Sequence, residues 1–230
     1  MYFTRAGLLA AVAREIVSDD SLTGAMNLLL VGPTTTEKQA GFSSAIPTGT
    51  RLNRISSAEG LATVDLSSAY ASGGGSLSMM LRVAQITYTV SQFTGVDRVR
   101  YRLDGKDLTE LGGEGLLLDV PQTRQDFEDV QPKILMESPA YGATVGRHFV
   151  ARGTANTFEA THRLQVLDGS GSVVFDVVVN ATSGSGTRGS WEREVILPAR
   201  VVGSVTVRVF EQSAKDGSAQ SIVDEVVSVA

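Results

Sequence analysis

The chain has 230 residues, 42% apolar and 20% charged, with no cysteine, 2 histidines and a formal net charge of -5 at pH 7. Without cysteine there is no disulfide, thiol nucleophile, iron–sulfur cluster or Cys-type zinc site. The acidic balance, with an isoelectric point near 5.1, argues against a nucleic-acid binder, which carries a basic face, and no apolar run approaches the ~20 residues of a membrane-spanning helix. The length suits one large domain or two small ones. Residues 1–5 run straight into patterned sequence with no signal-peptide segment, which fits either a cytoplasmic protein or one that begins after a removed signal or anchor.

Residues 8–17 read as an early strand. Ser18, Asp19 and Asp20 then precede Leu22, Ala25, Met26 and Leu29, the spacing of an amphipathic helix with capping residues at its start, and Gly32-Pro33 stops it. Residues 51–56 and 61–66, joined around Glu59-Gly60, predict a hairpin. A second helix is expected over 76–92, with Leu77, Met80, Leu81, Ala84 and Tyr88 on one stripe. Its tail, Ile86 to Val90, is β-branched enough to suit a strand as well, and length favours the helix. Val99, Tyr101 and Leu103 alternate with Arg98, Arg100 and Arg102 ahead of an Asp104-Gly105 turn, predicting a strand with an arginine row on its outward face. This order describes an α+β domain in which two helices cover one face of a sheet.

Residues 119–132 are polar and bracketed by Pro121 and Pro132. They predict domains over 1–120 and 133–230 joined by a linker over 121–132. Beyond it, seven short strands (134–136, 149–153, 163–167, 173–180, 191–197, 205–210 and 222–229) separated by Gly, Ser and Asp turns predict an all-β immunoglobulin-like sandwich without the antibody-type disulfide.

Chemistry-bearing motifs are few. Gly184-x-Gly186-x-x-Gly189 matches a dinucleotide-binding spacing, but a strand rather than a helix is expected after it, so a glycine-rich turn explains it better. His148 and His162 lie in no nucleophile arrangement and are expected at surface or edge positions. Asp126, Glu128 and Asp129 lack the spacing of a calcium loop and read as solvated linker residues. No catalytic, cofactor-binding or metal-ligating residue is expected. The row Arg98, Arg100 and Arg102 forms a positive strip suited to an acidic partner or polymer, set against the simpler reading of a solvated sheet face.

Three segments resemble the GerMN (sporulation and spore germination) domain: Leu29 to Thr34 with Glu37, Ser44 to Thr50, and Ala62 to Tyr70. Gly153 to Ala160, with Phe210 to Ser218, is similar to the immunoglobulin-like domain of bacterial spore germination. The resemblance implies a fold like that of ring-building modules for the first domain, an extracytoplasmic cell-envelope location reached through a lipid or membrane tether, no catalytic residues, and a role as an interaction or scaffold module in sporulation- or germination-related assembly. The implied partner is an envelope protein or cell-wall polymer, with oligomerisation a possible mode. Within its motif, Thr154, Asn156, Phe158 and Glu159 are the interaction candidates, weighed against ordinary backbone bonding at strand ends. The competing expectation is a small-molecule or glycan site in a groove between the domains, carried by aromatics such as Tyr70, Tyr141 or Phe158.

Overall fold

In the computed structural model, which describes residues 1–18, 20–112 and 115–230, internal contacts divide the chain into Met1–Leu9 with Glu15–Val130, and Ala10–Arg14 with Gln131–Ala230. The chain opens with a hairpin of β1 (Tyr2–Arg5) and β2 (Leu8–Ala11), turned through Ala6 and Gly7, both at positive φ. The strand expected over 8–17 therefore ends at Ala11.

α1 (Ser21–Val31) starts where Asp20 accepts hydrogen bonds from the backbone N–H groups of Leu22 and Thr23, at 3.1 and 3.2 Å. It stops at Gly32, whose φ of 82° a side chain would strain. Asp19, the other expected cap, lies outside the described residues. Ala25, Met26 and Leu29 are buried, as the spacing requires.

A short helix, α2 (Thr35–Gln39), was not anticipated. Its signal is a capping box: the Thr34 hydroxyl accepts from the Glu37 N–H at 3.2 Å, and the Glu37 carboxylate accepts from the Thr34 N–H at 2.6 Å. β3 (Phe42–Ser43) follows and pairs antiparallel with β1.

α3 (Ser76–Val90) is the centre of the first unit. Every residue from Leu81 to Val90 is buried. The β-branched tail is helical because this environment satisfies its hydroxyls: Thr87 shares a 2.7 Å hydrogen bond with Tyr101, and Thr89 accepts from the Tyr2 N–H at 3.1 Å. α3 crosses between β5 (Gly60–Leu66) and β6 (Val96–Leu103), which pair in parallel; β4 (Leu52–Ala58) and β7 (Lys106–Asp107) flank them antiparallel, giving the order β4-β5-β6-β7. A small ladder, β8 (Glu110–Leu111) and β9 (Leu116–Leu117), follows. Alternation turns Ala62, Val64, Leu66, Val99 and Tyr101 inward.

Residues 121–130, expected as linker, pack within the first unit. Gln122 exchanges two 2.8 Å backbone hydrogen bonds with Val99. Arg124 lies over the Tyr88 ring at 4.7 Å and donates to Ser91 at 2.8 Å, and the kinked 3-10 turns of Arg124–Val130 bury Phe127 and Val130. The polar composition hid two buried side chains that have no helical or strand period.

In the second unit, β10 (Ile134–Ser138), β12 (His148–Ala155) and β15 (Gly189–Ile196) form one sheet. β11 (Thr144–Val145), β17 (Ala219–Val229), β16 (Gly203–Gln212), β13 (Thr161–Leu167) and β14 (Val173–Asn180) form the other. All seven expected strands are present, and β11 is an addition that pairs in parallel with β17. Within this unit Val12 forms a parallel bridge to Tyr141, whose carbonyl accepts from the Ala13 N–H at 2.9 Å. Met136, Leu164, Val166, Trp191, Val195 and Val207 belong to the core between the sheets.

His162 is a correction. It is 1% exposed, its ring centroid is 5.0 Å from that of Trp191 in an edge arrangement, and neither ring nitrogen has a hydrogen-bond partner. The reason is strand alternation: His162, Leu164 and Val166 share the inward face of β13.

Two outcomes follow from this packing. Phe127→Ala should destabilise the first unit by about 3–5 kcal/mol, as for a buried aromatic, whereas a solvated linker residue would cost little; thermal unfolding of the two proteins separates these cases. Burial pushes the His162 ring down to about 4, so the folded state disfavours a proton that the unfolded chain takes up near pH 6.5. The stability of the second unit should be full above that value and fall on the order of 3 kcal/mol as pH drops from about 6.5 toward 4. Carboxylates held low by partners, such as Asp176 by the Arg163 hydrogen bond, lose their contribution only below the ordinary carboxylate range. Trp191 is the only tryptophan, so urea midpoints from its fluorescence at about pH 7 and about pH 4.5 test the difference. His162→Leu should remove it.

Candidate functional site

The outward face of the β4-β5-β6-β7 sheet presents charge in rows fixed by strand register. Arg54, Asp65, Arg102 and Asp107 are successive cross-strand partners, an alternating ladder across four strands. The next row is Ser56, Thr63 and Arg100, and the one beyond is Ala58, Leu61 and Arg98. Arg54, Ser56, Thr63, Asp65, Arg100 and Arg102 line one depression of about 310 Å³.

The arginines differ in how they are used. Arg102 donates to Asp107 at 2.6 Å. Asp65 accepts from the Gly105 N–H at 3.1 Å and the Asn53 amide at 3.4 Å, which turns one of its oxygens toward the β6–β7 turn. At that corner the Asn53 amide and the Ser68 backbone hold the Asp104 carboxyl below its ordinary value. Arg98 reaches 3.5 Å to the Glu59 carbonyl, away from the depression. Among the described residues, the guanidinium groups of Arg54 and Arg100 take part in no ion pair and no hydrogen bond. Thus the structure brings together two of the three expected arginines and adds Arg54, which sequence reasoning missed. Its alternation in β4 was readable, but its place beside Asp65 depends on the β4–β5 register.

Two outward-facing arginines of the second unit are neutralised. Arg163 donates twice to Asp176, at 3.1 and 2.7 Å, and Arg208 twice to Asp224, at 2.7 and 2.8 Å. These bidentate pairs are the strongest form of exposed arginine pairing. By contrast, Arg100 has no carboxylate in its row, and Arg54, opposite Asp65 in the register, forms no ion pair with it.

The second candidate set spans the end of β12 and the turn that follows it. Thr154 accepts from Arg188 at 3.3 Å, Asn156 accepts from the Gly186 N–H at 2.9 Å, and the Glu159 N–H donates to Ser185 at 3.0 Å. Glu159 and Ala160 both sit at positive φ, 52° and 56°. The glycine-rich segment explains the shape of this loop: a Cβ on Gly184 would lie 2.5 Å from the Thr157 carbonyl and the Ala160 nitrogen. Gly184 therefore permits close approach of two backbones, and a strand, β15, follows as expected for a turn rather than a phosphate cradle. Phe158 is 70% exposed and Glu159 is exposed beside it, whereas Thr154 and Asn156 are half-buried.

Of the remaining candidates, Tyr70 is fully buried, with its ring stacked on Tyr101 at 6.3 Å, so it lines no open surface. His148 contacts Glu194 on an exposed sheet face. Asp126 accepts from both the N–H and the hydroxyl of Thr123, at 2.7 and 2.8 Å, as a turn cap. Among the described residues, no group of three or more His, Asp or Glu is arranged to hold a metal ion, and no helix is long and apolar enough to cross a membrane.

Residues 1–109 match the model of the Germane family, described as sporulation and spore germination, and residues 133–218 match that of the immunoglobulin-like domain of bacterial spore germination. Among solved structures, the chain is similar to the first GerMN domain of the sporulation protein GerM from Bacillus subtilis, at 20% identity over 51% of this chain and 86% of that one, with a TM-score of 0.41. It is also similar to the tandem GerMN domains of the same protein, at 17% identity over 84% of this chain and 57% of that one, TM-score 0.43. A candidate lipoprotein from Clostridium perfringens aligns at 17% identity over 46% of this chain and 69% of that one, TM-score 0.41. No curated protein matches the chain. The family models carry the assignment: the chain is a Germane domain of the sporulation and spore germination family followed by an immunoglobulin-like domain of bacterial spore germination.

Proposed function

We propose that the chain is a non-enzymatic interaction module of the bacterial cell envelope, working in a sporulation- or germination-related assembly. Both of its domains come from families named for those processes. The observation that carries the interaction reading is the outward sheet face of the first unit, where the guanidinium groups of Arg54 and Arg100 form no ion pair while Arg163 and Arg208 are neutralised in place. Charge left open on a rigid sheet is suited to an acidic partner and to steering its approach.

The side chains most able to do chemistry serve structure instead. His162 fills the sandwich core beside Trp191, and the glycines of 184–189 allow loops to pack. An enzyme would need a nucleophile or base within reach of a second reactive group in a cleft, and the depression on the sheet is lined by guanidinium, hydroxyl and one engaged carboxylate. The partner fitting this face is an acidic envelope protein or anionic wall polymer.

Reversing the charge without touching the core tests the reading. Arg54→Glu with Arg100→Glu should leave the thermal midpoint within a degree or so, since both are outward surface positions, yet lower retention of the chain's envelope partner from a detergent-solubilised extract at least about tenfold. In the source bacterium, deletion should reduce sporulation or germination efficiency, with rescue by the wild-type gene and not by the double variant. Retention and rescue equal to wild type would contradict it.

A further inference from the structure

Resting on the interaction reading but naming its chemistry, we infer that the depression bounded by Arg54, Arg100 and Arg102 is a binding site for the phosphodiester groups of an anionic polymer. Three features of the site select this ligand class.

The first is charge. Around the depression stand three guanidinium groups, Arg54, Arg100 and Arg102, against the carboxylates of Asp65 and Asp107, the latter already bonded to Arg102. One positive charge is left over. That balance suits a monoanion, the charge of a phosphodiester, better than a doubly charged phosphate monoester, which would face the Asp65 carboxylate with less compensation.

The second is the donor set. Planar guanidinium forks on Arg54 and Arg100 match the geometry of two non-bridging phosphate oxygens. The hydroxyls of Ser56 and Thr63, which share the cross-strand row of Arg100, add donors to the lining. Arg54 on β4 and Arg100 on β6 lie two strands and one row apart, roughly 12 Å at the backbone, a span their long side chains can close from both sides. The three strands hold these positions rigidly, so little ordering is needed on binding.

The third is repetition. Arg102, Arg100 and Arg98 follow one another along β6 on the same face at roughly 7 Å intervals, two residues of strand each. A single small anion uses one step of that series, whereas a chain of phosphodiesters uses several. No apolar residue lines the depression, which disfavours a bilayer surface as the source because nothing is available to insert beside the headgroup. Tyr101 is buried beneath the face, leaving no aromatic platform for stacking bases, so single-stranded nucleic acid is disfavoured as well.

The test uses the full chain. Dimethyl phosphate, the smallest phosphodiester monoanion, is titrated while the arginine side-chain and backbone N–H signals are followed by NMR. Saturable shifts are expected at Arg54 and Arg100 and in the amides of Ser56 and Thr63, with acetate giving much weaker ones. Poly(glycerol phosphate) should bind tighter than dimethyl phosphate, and its Kd should rise steeply with salt. In Arg54→Gln with Arg100→Gln, that Kd should rise at least about tenfold with an unchanged thermal midpoint. No shift at Arg54 and Arg100, equal polymer affinity in the double variant, or binding confined to phosphatidylglycerol vesicles or oligo(dT) would overturn the assignment. The two readings fail separately. Retention of an envelope protein through Arg54 and Arg100 with no phosphodiester response removes the polymer site and leaves the interaction module; a phosphodiester response with no effect of the chain on sporulation or germination removes the biological role and leaves the site.

Discussion

Arg82 is a charged side chain only 2% exposed, and much of the first unit is organised around keeping it there. Among the described residues no carboxylate pairs with it; its guanidinium donates instead to the carbonyls of Ala45 at 3.2 Å, Tyr70 at 2.5 Å, Ser72 at 3.3 Å and Gly73 at 3.0 Å. It also lies 5.7 Å from the Tyr70 ring centroid. A buried charge is tolerated when its donors are satisfied, and these carbonyls belong to the loop after β3 and to the 3-10 turn of Ser68–Ala71 with the loop that follows it. One turn later Gln85 repeats the device, donating to the Tyr2 carbonyl at 3.2 Å and accepting from the Ala45 N–H at 2.7 Å. α3 thus fixes both loops and β1 from one helical face. With that face spent on loops and the Tyr101 hydroxyl bonded to Thr87 and the Val83 carbonyl, the sheet is pinned from beneath and its other face is left rigid and open to solvent.

Two arginine ladders, one in each unit, handle surface charge differently. In the sandwich, Arg163 and Arg208 sit on the outward face of the five-stranded sheet, each with an aspartate set across the ladder from a neighbouring strand. In the α+β unit the corresponding ladder stops short: Asp65 and Asp107 serve the Arg102 row, and the Arg100 row has only hydroxyl neighbours. Because exposed ion pairs stabilise little, leaving Arg54 and Arg100 uncompensated costs the fold almost nothing and keeps their charge available.

Much of this was legible in the sequence wherever one element carried its own signal. The period of Ala25, Met26 and Leu29, the alternation of Val99 and Tyr101 with the arginines, the Glu59-Gly60 and Asp104-Gly105 turns, and the seven strands after Pro132 each follow from local geometry. α2 was readable from Thr34 and Glu37 as a capping box, but five residues make too short a period to notice. His162 belonged to the pattern His162, Leu164, Val166 and was misplaced because a histidine was judged by polarity instead of position. The polar stretch around Phe127 carried no period, so only tertiary packing reveals that it is buried. Arg54 joined the arginine row through strand order and register, which non-local pairing determines and no local window contains.

The central claim is that function resides on the open arginine face of the first unit, and arginine-specific labelling tests it in place. Modification of the full chain by phenylglyoxal, mapped by mass spectrometry with and without envelope extract, should show Arg54 and Arg100 protected by the extract while exposed Arg193 of the sandwich reacts equally in both. Equal reactivity of Arg54 and Arg100 in both conditions, with protection confined to arginines of the second unit, would contradict it.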